Sequence, residues 1–247
     1  MKSVQSLRSI AVPPPISVLL SFVAGYVDSC TYLGLFGVFV AQVTGSFVLA
    51  GTLFVKSEPG ALARLLAIPF FFFAGMAITV LVHSMRGRPR ATLAWSLGIE
   101  SLLLVGFIVL SWTGAPFGDP NAPGAIAALL FGMTAMGVQS ALVRLLMRGV
   151  ASTNVMTTNT TLLAISVAEI LLGWIECRKS GSAATLNPDY AQAHNDFAAL
   201  FPLGVGFFGG TASGAIAFIN LGLPCILAAV IPVGGLALWY ASRLDLS

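Results

Sequence analysis

An aspartate in the stretch Gly25-Tyr26-Val27-Asp28-Ser29 stands inside a run of apolar residues. A carboxylate inside such a run is costly, and it persists where it meets a cation, a proton or a watery cavity. Asp28 is therefore the first candidate, as a coupling group for a proton or a cation. Shortly after it come Gln42-Val43-Thr44-Gly45-Ser46, where an apolar segment should have its middle. A second polar stretch, Ser152-Thr153-Asn154 and then Thr157-Thr158-Asn159-Thr160-Thr161, opens another apolar segment. Thr44, Ser46, Thr157, Thr158 and Asn159 are of the types that cap helix N-termini, and Gly45 lets backbone approach a ligand closely. A helix that begins inside a membrane leaves its first N–H groups unpaired and carries partial positive charge there, which suits an anion or a polar solute. Gln42 and Asn154 would line the same cavity. Gln139, beside a stretch that matches the surroundings of Asp28, would put a neutral hydrogen-bonding group in place of charge. The alternative is structural: an acid bonded to hydroxyls or helix ends, and hydroxyls satisfied within their own helices.

Other chemistry is poorly supplied. Cys30, Cys177 and Cys225 are odd in number and widely spaced, with neither metal spacing nor a disulfide framework. There is no phosphate-binding loop and no Gly-x-Ser-x-Gly elbow, so no enzyme, cofactor or metal is expected. Glu100 lies away from the polar segments and reads as a structural or oligomer contact, and Glu169 as interfacial. His83 and His194 stand alone. A net charge of +3, spread along the chain, gives no footprint for nucleic acid.

These residues must be held by elements that composition defines. Of 247 residues, 57% are hydrophobic and 9% charged, with a mean hydropathy of +0.93. So few charges cannot clothe a soluble domain, which carries about 25%. The apolar residues must face lipid. Nearly continuous apolar runs argue against barrel strands, so the expected fold is all-α, a polytopic helical bundle. The 26 glycines suit close helix packing, as in Gly209-Gly210-Thr211-Ala212-Ser213-Gly214. Pro13-Pro14-Pro15 interrupts any signal-peptide reading, and the start of the chain reads as an uncleaved arm before the first span.

Eight apolar segments can be drawn: 16–35, 38–55, 64–84, 91–113, 123–146, 151–174, 197–219 and 224–242. The second and sixth carry the polar stretches, and charge tests whether they cross. Short cytoplasmic loops collect Lys and Arg. If all eight segments cross, the bases divide seven to five. If the second and sixth instead enter and return, Lys2, Arg8, Arg86, Arg88, Arg90, Arg144, Arg148, Arg178, Lys179 and Arg243 share one side, and Lys56 and Arg64 the other. Ten to two favours six full spans plus two re-entrant or broken helices, with both termini cytoplasmic. In this reading Arg144 and Arg148 snorkel to headgroups, and Arg86-Gly87-Arg88-Pro89-Arg90 marks topology and meets membrane lipids.

An internal repeat fits that count. Gly25-Tyr26-Val27-Asp28-Ser29 aligns with Gly137-Val138-Gln139-Ser140-Ala141. Val43-Thr44-Gly45-Ser46 aligns with Met156-Thr157-Thr158-Asn159, and Phe73-Ala74-Gly75-Met76-Ala77 with Phe207-Phe208-Gly209-Gly210-Thr211. With three crossings per half, 16–113 and 123–242 would form an inverted repeat around an external loop at 114–122. An arm at 1–15, a polar cytoplasmic connector at 176–196 and a tail at 243–247 complete the organisation. Inverted repeats with discontinuous helices are typical of secondary transporters. The expectation is a small transporter for a small polar or anionic solute, with a coupling proton or cation at Asp28. The alternatives are a channel of the same architecture, or a scaffold that binds lipid and transports nothing. A homodimer through the glycine-rich spans suits each.

The chain also resembles a known family. Gly25-Tyr26-Val27-Asp28 followed by Ala41-Gln42-Val43-Thr44-Gly45-Ser46 is similar to paired signatures of the YoaK-like family of uncharacterised bacterial membrane proteins. Gly137-Val138-Gln139 with Val143-Arg144 is similar to that family's second-half motif. The resemblance implies a bacterial inner-membrane protein with one hydrophobic domain of about six spans; it supplies no activity. Gln42 stands where the family has His, Ser46 where it has Asn, and Thr158-Asn159 where it has a Thr-Gly-type pair.

Overall fold

A computed structural model describes residues 10, 12–53, 55, 60–115, 117–147, 149–180 and 188–243. The helices are α1 (Pro14–Gly34), α2 (Val43–Thr52), α3 (Ala61–Ser84), α4 (Pro89–Gly114), α5 (Pro123–Leu146), α6 (Met156–Ser180), α7 (Pro188–Leu221) and α8 (Leu227–Ser242). A 3₁₀ turn, Leu223–Ile226, opens α8. Among the described residues, seven helical stretches are long and apolar enough to cross a membrane, and α2 is the short one. The protein is a multi-pass helical membrane protein. Proline begins α1, α4, α5 and α7. Its fixed φ and missing N–H cost nothing in a first helical turn.

Two expectations need correction. The segment at 151–174 is not a broken helix: after non-helical residues 149–155 it forms the unbroken 25-residue α6. Its hydroxyls fall in the first turn and a half, where free N–H groups welcome polar neighbours. Asn159 Nδ2 reaches back to the Ser152 carbonyl (2.7 Å), and Thr161 Oγ1 donates to the Thr157 carbonyl (3.0 Å). The connector at 176–196 is largely helical as well. Its start is the last turn of α6, and from Pro188-Asp189 onward it is the first part of α7. A proline at the first position followed by an acid is a helix start. Residues 181–187 lie outside the described residues, as do Lys2, Arg8, Lys56 and Arg148 of the charge count.

Close backbone contacts fix how the helices run. Gly206, Gly210 and Gly214 of α7 lie against Val18, Phe22 and Tyr26 of α1, so these two helices are parallel. Gly137 of α5 lies against Phe71 and Ala74 of α3. Gly60 N–H, before α3, donates to Asn121 Oδ1, before α5, so this pair is parallel too. The Ile10 N–H bonds the Leu146 carbonyl, which puts the end of α5 beside the start of α1. Gly173 of α6 meets Tyr190 of α7, and Ser21 Oγ contacts both the Thr153 and Leu203 carbonyls. The start of α6 therefore sits beside the middle of α7, and α6 returns antiparallel to the face where α1 begins. Arg86, Arg88, Arg90, Arg144, Arg178 and Arg243 gather toward that face, while Arg64, bonded to the Phe36 carbonyl, sits at the other.

Glu100 is fully buried in α4, and neither carboxyl oxygen has a hydrogen-bond partner among the described residues. An unsatisfied buried polar group costs about 1–3 kcal/mol. Glu100→Leu is expected to raise the thermal midpoint of the detergent-solubilised protein by a corresponding amount. A lower midpoint would show that the carboxyl is satisfied, by a buried water for example.

Candidate functional site

Two extended segments, one after α1 and one after α5, turn back into the bundle. Asp28 lies six residues before the end of α1, about 9 Å along the helix axis at 1.5 Å per residue. It is 1% exposed. One carboxylate oxygen accepts the N–H groups of Val40 (2.8 Å) and Ala41 (2.6 Å), and the other accepts Gln42 Nε2 (3.1 Å). Backbone buried at this depth needs partners for its N–H groups, and Asp28 supplies them. Gln42 is the residue before α2, so the aspartate sets where that helix begins.

The second segment repeats the arrangement with neutral groups. Asn154 Nδ2 donates to Ser140 Oγ (2.9 Å), and the two N–H bonds of Gln139 Nε2 are shared among the Leu20 carbonyl (2.9 Å), Thr153 Oγ1 (3.1 Å) and Asn154 Oδ1 (3.1 Å). Thr153 Oγ1 donates to Asn154 Oδ1 (2.8 Å). The bond from Gln42 to Asp28 and the bond from Asn154 to Ser140 span the same number of residues, 14. Each comes just before a helix that starts deep in the bundle.

The two segments meet at one cavity of about 370 Å³, which holds Gln42, Val43 and Thr44 from the first and Ser152, Asn154, Val155, Met156 and Thr157 from the second. Phe71 and Gly75 of α3 and Gly137, Ser140, Ala141 and Arg144 of α5 complete its wall. The N-terminal turns of α2 and α6 both face it, and Arg144, exposed at its rim, adds a full positive charge. Among the described residues, no acidic side chain is in the wall. Partial positive charge from two helix starts and a guanidinium makes this a place for a negative or strongly polar group. Phe71, Val43 and Met156 give it apolar walls.

Of the residues singled out in the sequence, Gln42, Thr44, Asn154 and Thr157 line the cavity. Asp28 and Gln139 stand behind it, one hydrogen bond away through Gln42 and Asn154. Gly45 and Ser46 lie one turn into α2, with Ser46 buried and Gly45 near the Phe39 ring. Asn159 is buried and spent on the Ser152 carbonyl, and Thr158 is exposed outside the wall. Sequence reasoning assigned Arg144 to lipid headgroups and gave Ser140 no role. The signal for both was their spacing after Gln139, which keeps Ser140 and Arg144 on one face, four residues apart.

A family described as "Protein of unknown function (DUF1275)" matches residues 16–239. The chain is similar to the UPF0700 transmembrane protein YoaK of Bacillus subtilis (strain 168), 32% identical over 136 residues. That alignment covers 55% of this chain and 59% of the relative's length. No solved structure matches.

Proposed function

We propose, from the premise that this chain belongs to the DUF1275 family of proteins of unknown function, that it is a small secondary transporter. It binds a small polar solute, anionic by preference, in the cavity between the starts of α2 and α6. The carrying observation is the convergence of 42–44 and 152–157 on one cavity with a basic rim. Both segments lead into helices that start inside the bundle, as the helix N-termini at transporter sites do.

The two halves are read as an inverted repeat. α1 packs on α7 as α5 packs on α3, and α2 returns along α3 as α6 returns along α7. Six helices then cross, and α2 and α6 return to the faces they came from. The arginine-rich face is read as cytoplasmic by the positive-inside tendency, in a bacterial inner membrane. It carries the start of α1 and the end of α8. Asp28 couples through Gln42: a proton or cation on the carboxylate competes with the three donors that place the cavity wall. Rocking of one half against the other would expose the cavity to each side in turn.

The test is a thermal-shift screen of purified protein against short mono- and dicarboxylates, phosphate and sulfate, followed by uptake of the best ligand into proteoliposomes under a proton gradient. Arg144→Ala is expected to weaken that ligand's affinity by about tenfold, the value of one charge-assisted contact. Binding that Arg144→Ala leaves intact, or flux that ignores the gradient, would count against the proposal.

A further inference from the structure

Two thiols that the solute cavity does not use face each other near the far end of α1. Cys30 Sγ lies 3.2 Å from Cys225 Sγ, and both residues are buried with free thiols. Cys30 is four residues from the end of α1, and Cys225 is in the 3₁₀ turn that opens α8. Their backbones are pinned close together. Tyr26 Oη donates to the Cys225 carbonyl (2.9 Å), and Cys30 Sγ also reaches the Gly214 carbonyl (3.5 Å). A disulfide needs its sulfurs about 2.05 Å apart, so side-chain rotation through little more than 1 Å would close the bond.

Both thiols are buried, Cys225 one residue behind the wall of a cavity. A cavity of about 530 Å³ at the face where α1 ends is lined by Gly34, Gly222, Leu223 and Pro224, and Cys225 follows directly. This face is opposite the arginine-rich one, and disulfides form and persist outside the cytoplasm.

We propose that Cys30 and Cys225 are a redox-responsive pair whose disulfide staples α1 to the start of α8. With hydrogen peroxide as oxidant, one thiolate attacks a peroxide oxygen, giving a sulfenic acid and one water. The second thiol then displaces the sulfenic hydroxyl as another water. Two thiols and one peroxide become one disulfide and two waters, and both electrons end on peroxide oxygen. The bond closes across 195 residues of chain. On the transporter reading it joins the two halves and would arrest their rocking, but the cross-link itself does not depend on that reading.

The experiment uses the reduced full-length protein in detergent, treated with hydrogen peroxide, then denatured and alkylated. Alkylatable thiols are expected to fall from three to one, with Cys177 left free, a linked Cys30–Cys225 peptide, and a thermal midpoint raised by roughly 5 °C. Dithiothreitol should reverse all of this. Cys177→Ser should keep the effect, and Cys30→Ser or Cys225→Ser should each abolish it. Three alkylatable thiols after treatment, unlinked sulfinic or sulfonic acid at Cys30 or Cys225, or links through Cys177 alone would overturn the proposal. No solute enters the assay, so its failure leaves the transporter reading to its own test.

Discussion

Asp28→Ala is expected to destabilise the protein by about 3–5 kcal/mol, because each buried donor left without its acceptor costs about 1–3 kcal/mol. Three donors lose their acceptor at once: the N–H groups of Val40 and Ala41 and the amide of Gln42. Two of them are backbone groups of buried residues in a non-helical segment. The loss is local before it is global. Hydrogen exchange at residues 40–46 should accelerate most, because Asp28 holds the segment that leads into α2. Asp28→Asn separates geometry from charge. The amide oxygen can still accept from Val40 and Ala41, and the Gln42 amide can turn to present its oxygen to the new NH₂ group. Asn should therefore recover most of the stability. A gradient-driven flux that also survives in Asp28→Asn would remove the coupling role and leave Asp28 as a positioning residue. If Asp28→Ala unfolds no more easily than the parent, the carboxylate network does not hold the segment.

What the sequence disclosed, and what it hid, follows from the length scale of each interaction. The spans were legible because lipid imposes one rule over some 20 residues, and the segment at 123–146 coincides with α5. The polar interruptions were legible as well: Gln42 and Asn154 each precede a helix that starts inside the bundle. The length of α6 was not. Five polar residues in succession look like a break, yet a helix hides that many in a turn and a half, and the apolar run from Leu162 carries it on. The start of α7 is hidden because Pro188 falls inside the polar stretch at 176–196, whose composition suits a connector as well as a helix start. The partners of Asp28 were out of reach, because two of its three donors are backbone N–H groups, and any residue but proline carries one. Arg144 was hidden for a similar reason. A base near the end of an apolar helix usually snorkels to headgroups, and only the return of 149–155 into the bundle puts a cavity beside it.

The seam between α1 and α7 gives the other large effect. A Cβ on Gly210 would fall on the backbone carbonyl of Phe22, and one on Gly25 would fall on the carbonyl oxygen of Phe207. Backbone cannot swing aside as a side chain does, so either alanine must push two packed helices apart. Gly210→Ala is expected to cost about 3 kcal/mol, the upper part of the usual range for overpacking. Gly106 tests the reasoning, because its Cβ would meet the ring of Phe131, which can rotate. Gly106→Ala should cost about 1 kcal/mol. Gly98, within α4, has nothing within 4 Å of its would-be Cβ. Alanine there should stabilise by about 0.5–1 kcal/mol, the helix preference of Ala over Gly. Thermal midpoints of the three variants should therefore fall in the order Gly98→Ala, Gly106→Ala, Gly210→Ala, with only the first above the parent. If Gly210→Ala matched Gly98→Ala, α1 and α7 would not be in backbone contact. The parallel pairing that sets the direction of α6, and with it the six-crossing topology, would then lose its main support.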